Sequence, residues 1–306
     1  MTPPPARVAV ALFGPQGKGS FNESGLRGAL RARERGHAVQ VHWIGAAATE
    51  DRAHHLRQIC AAGLDLLVAH GGQGDEPVSL VCGDFPEMRF AITQGHTTAA
   101  NLACYEVLQE QSAFLAGVLA ALQTRSGIVA HLSGERVRPG LKGRAAFAHG
   151  VRAAGNDCRL LTTFIGNQHD PERAYGVTHD LRHGGADIVF AMIDGGRDGV
   201  SQACRELRMQ QIGNVLDWVE RDPSVFLASA VADSGSCALQ AIEDHAQDRF
   251  APQTIQRFGL ENPDCVRLVC GVAVSQQQQA ALAHWQQQLL TGAVQPDTEY
   301  AGEEFG

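Results

Sequence analysis

Ten runs of this chain are predominantly apolar and strand-like, and most are followed by a segment of a different kind. The runs fall at 7–13, 38–45, 64–70, 89–94 and 102–107, then at 127–132, 160–165, 187–193, 212–217 and 225–231. Helix-period segments separate most of them, at 23–36, 50–62, 110–124, 141–154, 171–184 and 198–209. Strands that are apolar throughout and alternate with helices belong to parallel sheets covered on both faces. Ten strands are too many for one open sheet in 306 residues, and a 44% hydrophobic content is enough for two cores, so we expect two α/β lobes. The strongest candidate boundary is "LQTRSGIVA", where helix 110–124 gives way to a strand at Gly127. Beyond strand 225–231 the chain reads as a helix ("SGSCALQAIEDHAQ"), an irregular stretch ("FAPQTIQRFGLENPD") and a short strand ("CVRLVCGVAV"). It closes with a glutamine-rich helix whose Ala280, Leu282, Trp285 and Leu289 keep an apolar side, the glutamines forming a solvated face.

Charge excludes one class of partner. The formal net charge is -8, with acids and bases interspersed, whereas a nucleic-acid footprint needs a basic face or stripe. No apolar run approaches the ~20 residues that span a bilayer. The opening "MTPPPARVAVALFG" reads as a first strand rather than a signal peptide, so the sequence as it stands reads as cytoplasmic, or periplasmic and membrane-tethered if a leader was trimmed. The eight cysteines are scattered through apolar runs without a CxxC, the pattern of buried reduced thiols; Cys265 and Cys270 are the one close pair.

Open parallel sheets take ligands beyond the carboxyl ends of their strands, so the strand exits are where chemistry is sought. They carry glycines that admit close backbone approach, among them Gly72 and Gly196, together with His96, Gln94, Asp194, Asp217 and Trp218. The exit "FGPQGKGSFNESG" resembles a phosphate cradle only superficially. Gly17-Lys18 is followed by glycine rather than Ser or Thr, and Leu12 stands where the first P-loop glycine belongs. Counting G-x-G-x-x-G from Gly14 requires glycine at Gln16. What remains is "SFNES", with Asn22 as a candidate cap and Phe21 read locally as a staple packed inward, or as a ring at a pocket mouth. His179 and His183 share a helix face at i and i+4, but no third metal ligand stands at a telling spacing, and no metal or cofactor is expected. Ser133 and Ser236 lack the nucleophile-elbow pattern, so no catalytic set is assigned; Asp194 and Asp217 could do acid–base work or simply accept hydrogen bonds from ligand hydroxyls.

The order of segments resembles the basic membrane protein (BMP, or PnrA-like) family of ABC-transporter substrate-binding proteins over nearly the whole chain. "SFNESGLRGAL", "GLDLLVAHGG", "FPEMRFAITQG", "SAFLAGVLAALQTRSGIVAHLSG", "GADIVFAMIDGGRDGV" and the closing "LLTG" follow one another as in that family. The resemblance implies a type I periplasmic-binding-protein fold, an α/β arrangement of two Rossmann-like lobes with three hinge crossovers that close on a ligand. The crossovers would fall near 123–126, 231–234 and within 258–268. Lobe I would then comprise 6–123 with 234–262, and lobe II 124–233 with 263–306. It implies purine-nucleoside binding, with Phe21 as the stacking aromatic, Asn22 as its polar neighbour and Asp217 as the ribose aspartate. Other positions depart from the family pattern. Phe13 stands nearest a lost aspartate, Gln94 replaces another, Ala232 replaces a lysine and Ser201 a second stacking phenylalanine. Phe13, His96 and Trp218 are the candidate replacements.

The resulting expectation is a non-enzymatic solute-binding protein of an ABC importer. Its ligand is a purine nucleoside, a nucleobase or a related planar heterocycle, and its protein partner the permease, with no nucleic acid and no insertion into the membrane. The alternatives are a cytosolic sensor or carrier of the same fold, which without a helix-turn-helix segment would act through a separate DNA-binding partner, and a lyase or hydrolase on the same scaffold.

Overall fold

The computed structural model describes residues 6–14, 16, 20–155 and 157–305. Gly17, Lys18 and Gly19, which carried the phosphate-cradle question, lie outside the described residues. In chain order the strands are β1 (Val8–Phe13), β2 (Val39–Ile44), β3 (Leu66–His70), β4 (Arg89–Thr93), β5 (Leu102–Val107) and β6 (Ile128–Ser133). They continue as β7 (Arg159–Phe164), β8 (Ile188–Met192), β9 (Gln210–Val215), β10 (Phe226–Ala232), β11 (Ile255–Phe258) and β12 (Val266–Cys270). The helices are α1 (Ser20–Glu34), α2 (Thr49–Cys60), α3 (Asp75–Ser79), α4 (Gln109–Gln123) and α5 (Arg138–Ala153). The rest are α6 (Pro171–His183), α7 (Arg197–Leu207), α8 (Ser234–Ala246) and α9 (Gln276–Leu290).

The chain divides into two units, within Met1–Val107 with Asp233–Phe258 and within Leu108–Ala232 with Gly259–Gly306. The first is built on a six-stranded sheet in the order β11-β5-β4-β3-β1-β2, every neighbouring pair parallel. Because side chains alternate along a strand, Ala9, Ala11 and Phe13 of β1 face one side and Val8, Val10 and Leu12 the other. The first set packs with Ala53, Leu56 and Cys60 of α2 and Val78 of α3. Helices α1 and α8, which contact β1 and β3 respectively, cover the opposite face and lie against each other.

The second unit repeats the plan with the order β12-β10-β9-β8-β6-β7, in which only β12 runs antiparallel. On one face, α6 and α7 pack over Ala130, Leu132, Val189 and Ala191. Helix α4 is buried at twelve of its fifteen positions, the mark of a helix surrounded by protein, and packs on α5, α9 and β10. Residues after α9 run back over the edge strand β7. Phe305 N–H bonds Thr162 O (2.8 Å), the Glu304 carboxylate takes both Arg136 and Arg144, and Asp297 pairs with Arg152 and His149.

Three differences from the sequence reading have physical causes. The first division of the chain falls at Val107/Leu108 rather than at 123–126, because α4 packs on α5, α9 and β10 of the second unit and the polar stretch after it is only a loop. The irregular stretch 250–264 contains β11, a four-residue edge strand whose polar Gln256 and Arg257 hide the apolar pattern. The strand expected at 212–217 ends at Val215, which stands at φ 68°. Leu216 N–H closes onto Asn214 O (2.9 Å) there, a γ-turn that breaks the ladder.

Candidate functional site

The carboxyl edge of the first sheet is organised around the start of α1. Asn22 does not cap the helix; its Nδ2 donates to Phe13 O (2.8 Å), fixing α1 to the end of β1. Phe21 is half-buried, with its ring 4.6 Å from the ring of His70 at the end of β3. A Cβ on Gly71, which stands at φ 109°, would come within 2.9 Å of the Phe21 ring, so glycine is required for that approach. The ring therefore packs on the sheet exit, as the inward reading expects, while the residue as a whole is only partly buried.

His70 is buried and exchanges hydrogen bonds with Phe21 O (2.9 Å) and Thr93 Oγ1 (3.0 Å). Burial holds its imidazole down at about 4, against the opposing pull of the Phe21 carbonyl and the Asp233 carboxylate. It is neutral at ordinary pH. No motif in the sequence pointed to His70; the signal available was a lone histidine ending an otherwise apolar strand.

The other candidates of this unit have different duties. Phe13 is a correction: only 3% exposed, it lies on the α2 face of the sheet, inside the core, with the Arg52 guanidinium 5.4 Å from its ring. The alternation along β1 puts it there. Gln94, at φ 58°, accepts from Val107 N–H (2.7 Å) and donates to Val107 O (3.4 Å), so its amide joins the ends of β4 and β5. His96 is exposed and held to Asp75, which accepts from its ring (3.1 Å), its amide (2.9 Å) and the Thr97 amide (2.9 Å). Gly72 is exposed in the turn between β3 and α3.

On the second sheet, the exits of β8 and β9 are brought together by a residue that the sequence reading did not single out. Arg197 is 2% exposed, yet its neighbours in hydrogen bonding are neutral. Nη1 donates to Ala191 O (3.1 Å), and Nη2 to Ile193 O and Asn214 Oδ1. Burial lowers its ionisation to about 10 while Asp194 and Asp198 pull the other way, so it remains a cation. Its guanidinium lies 4.5 Å from the centroid of Trp218, and that of Arg221 lies 4.7 Å from the same ring. Trp218 also donates from Nε1 to Asn214 O (2.9 Å) and stacks on Phe226 (5.6 Å), so it is built into the wall of the unit. Gly196 is buried at the start of α7, where its amide donates to Gln168 O (3.0 Å), and Asp194 sits half-buried two residues before it.

Asp217 follows the γ-turn at Val215, a β-branched residue in the left-handed region and therefore a site of stored strain. Its Oδ1 accepts from Ser229 Oγ (3.2 Å) and the Glu220 amide (3.2 Å), while Ser229 Oγ accepts the amides of Trp218 (2.8 Å) and Val219 (2.9 Å). The carboxylate is half-buried and oriented through one oxygen. Ser201 and Ala232 are buried, Ser201 donating to Gln211 Oε1 (2.8 Å). His179 and His183 stand 6.5 Å apart between ring centroids, and among the described residues no three His, Cys, Asp or Glu side chains gather as a metal-holding set.

Residues 6–299 match the model of the Bmp family, described as ABC transporter substrate-binding protein PnrA-like. The chain belongs to this family. Among solved structures, a solute-binding protein of an ABC transporter system from Aeropyrum pernix K1 superposes with a TM-score of 0.83 at 19% identity, covering 95% of this chain and 93% of that one. That likeness places the family member in the periplasmic-binding-protein-like fold. A transcriptional activator protein of Bacillus subtilis (strain 168), named med, is 24% identical over 211 residues, 69% of this chain and 66% of that protein. A purine-binding protein of Brucella abortus (strain 2308) is 22% identical over 185 residues, 60% of this chain and 52% of that protein. The matches to these two relatives thus span about two thirds and half of their lengths. Among the described residues no helix is long and apolar enough to cross a membrane.

Proposed function

We propose that this chain is the solute-binding component of an ABC importer, taking a purine nucleoside, nucleobase or related planar heterocycle without transforming it. The observation that carries this reading is Phe21: a partly buried aromatic residue at the carboxyl edge of a parallel sheet, packed against Gly71 and His70. Such a ring offers a planar ligand a stacking face worth about 1 kcal/mol beyond the area it buries. Asp217, held through one oxygen, is the acceptor we assign to a ligand hydroxyl. The relative named as purine-binding supports the same ligand class.

The first test is a thermal-shift screen against adenine, guanine, adenosine, guanosine, inosine and their pyrimidine counterparts. Stabilisation by a purine, recovered chemically intact after incubation, is the expected outcome. A well-folded protein that no member stabilises would sink the heterocycle reading, and conversion of the ligand would favour an enzyme. The relative named as a transcriptional activator favours a second reading, a ligand sensor of the same fold. Uptake of labelled nucleoside by cells lacking this chain separates the two: undiminished uptake with altered transcription would favour the sensor.

A further inference from the structure

Around Phe21 the hydrogen bonds have only one consistent direction. The Phe21 carbonyl can only accept, so the His70 Nε2 that lies 2.9 Å from it carries the proton. In a neutral imidazole Nδ1 must then accept, and its partner at 3.0 Å is the Thr93 hydroxyl. Thr93 Oγ1 in turn accepts the Gly71 amide (3.0 Å). A chain of donors thus runs from Gly71 through Thr93 and His70 to the Phe21 carbonyl. Every atom in it sits at a strand exit or at the first turn of α1. Ser24 Oγ gives the same carbonyl a second bond (2.8 Å) and lies 2.9 Å from Ser234 Oγ.

Space has been cleared for this arrangement. A Cβ on Gly25 would stand 2.5 Å from the His70 ring, and one on Gly71 2.9 Å from the Phe21 ring. The imidazole therefore grips Phe21 twice, through its carbonyl and through a tilted ring contact at 4.6 Å and 32°. We propose that His70 is a positioning residue for the ligand-stacking ring: it sets the orientation of Phe21 for planar ligands without touching them. This rests on the reading of Phe21 given above.

Two amide substitutions separate the role from bulk packing. His70→Gln places an NH₂ near the position of Nε2 and retains a donor for Phe21 O, whereas His70→Asn is too short to reach it. Incorporating 4-fluorophenylalanine gives one ¹⁹F resonance for each of the twelve phenylalanines, and Phe21→Leu assigns that of residue 21. We expect His70→Asn to shift and broaden the Phe21 resonance while His70→Gln leaves it near its original position. Guanosine affinity by calorimetry should fall about tenfold in His70→Asn and about threefold or less in His70→Gln. In a Phe21→Ala background the two should be equal, because the coupled partner is gone. An unmoved Phe21 resonance in His70→Asn overturns the inference. So does a guanosine affinity that depends on Phe21 but is indifferent to His70→Asn. A resonance that moves while Phe21→Ala leaves guanosine affinity unchanged instead refutes the stacking reading and leaves the positioning of the ring intact.

Discussion

At the residue scale, the groups that organise the two sheet exits are not those with the most conspicuous chemistry. Arg197 directs its guanidinium to the carbonyls of Ala191 and Ile193 and to Asn214, so it braces the strained turn that presents Asp217. Replacing Arg197 with methionine leaves those buried acceptors unmatched at about 1–3 kcal/mol each. We expect a loss on the order of 3 kcal/mol, read from the urea midpoint. Gly25→Ala forces a methyl onto the His70 ring and should destabilise by about 1–3 kcal/mol on the same measurement. Phe21 and Asn22 stood out at a loop-to-helix junction and Asp217 at a strand exit, and the resemblance then implied a role for each. Sequence pattern misassigned Phe13 because a strand's last residue can face either layer, and only the alternation from Val8 onward shows which. Arg197 and His70 escaped notice because their importance lies in acceptors far off in sequence, such as Asn214 and Phe21, which no local window contains.

At the scale of elements, the helices of each unit meet at glycines. A Cβ on Gly117 of α4 would fall 2.1 Å from Phe147 O of α5, and one on Gly150 of α5 would fall 2.0 Å from Phe114 O of α4. The reciprocal contact means that the two backbones touch, and no side chain can be inserted without moving a helix. In the first unit Gly28 of α1 and Gly235 of α8 meet in the same manner, the Gly28 position lying 2.2 Å from Gly235 O. Gly150→Ala should therefore cost well over the ~1 kcal/mol that a helix gains from alanine in place of glycine. The expected result is a fall in thermal midpoint of the second unit, with the far-ultraviolet dichroism retained. These contacts also explain what the sequence revealed of the fold. Periodicity exposed the helices and the continuous apolar strands, since those are local. It gave no sign that α4 belongs to the second unit, because a helix apolar on all sides is equally compatible with either neighbour until its partner is known. Strand β11 was invisible for the complementary reason, being short, polar and dependent on β5 for its identity.

At the scale of the whole molecule, the same buried histidine logic operates in both units. His70 is held down at about 4, and His131 at about 3 by burial and the nearby Arg144 guanidinium, against Glu304. An unfolded chain protonates both near 6.5, so their neutral burial stabilises fully above that pH. The contribution is lost as pH falls toward 4 for the first and 3 for the second, at about 1.4 kcal/mol per histidine per pH unit. His42 and His245, also lowered by burial, act in the same sense. Thermal scans at pH 7.5 and 5.5 should show a drop of several degrees, partly abolished in His131→Gln. The depressed carboxylates Asp65, Asp222 and Glu304 lose their share only at lower pH, from about 4.5 downward. The division of the chain has a consequence in time as well. The first unit is not complete until Asp233–Phe258 supplies α8 and the edge strand β11. During synthesis at ~5–20 residues per second, the intervening Leu108–Ala232 holds that event back by about ten seconds. Through that interval the apolar face of α1 and the free edge of β5 have no cover of their own, the kind of exposed surface and unpaired edge that makes a partly synthesised chain prone to associate with others.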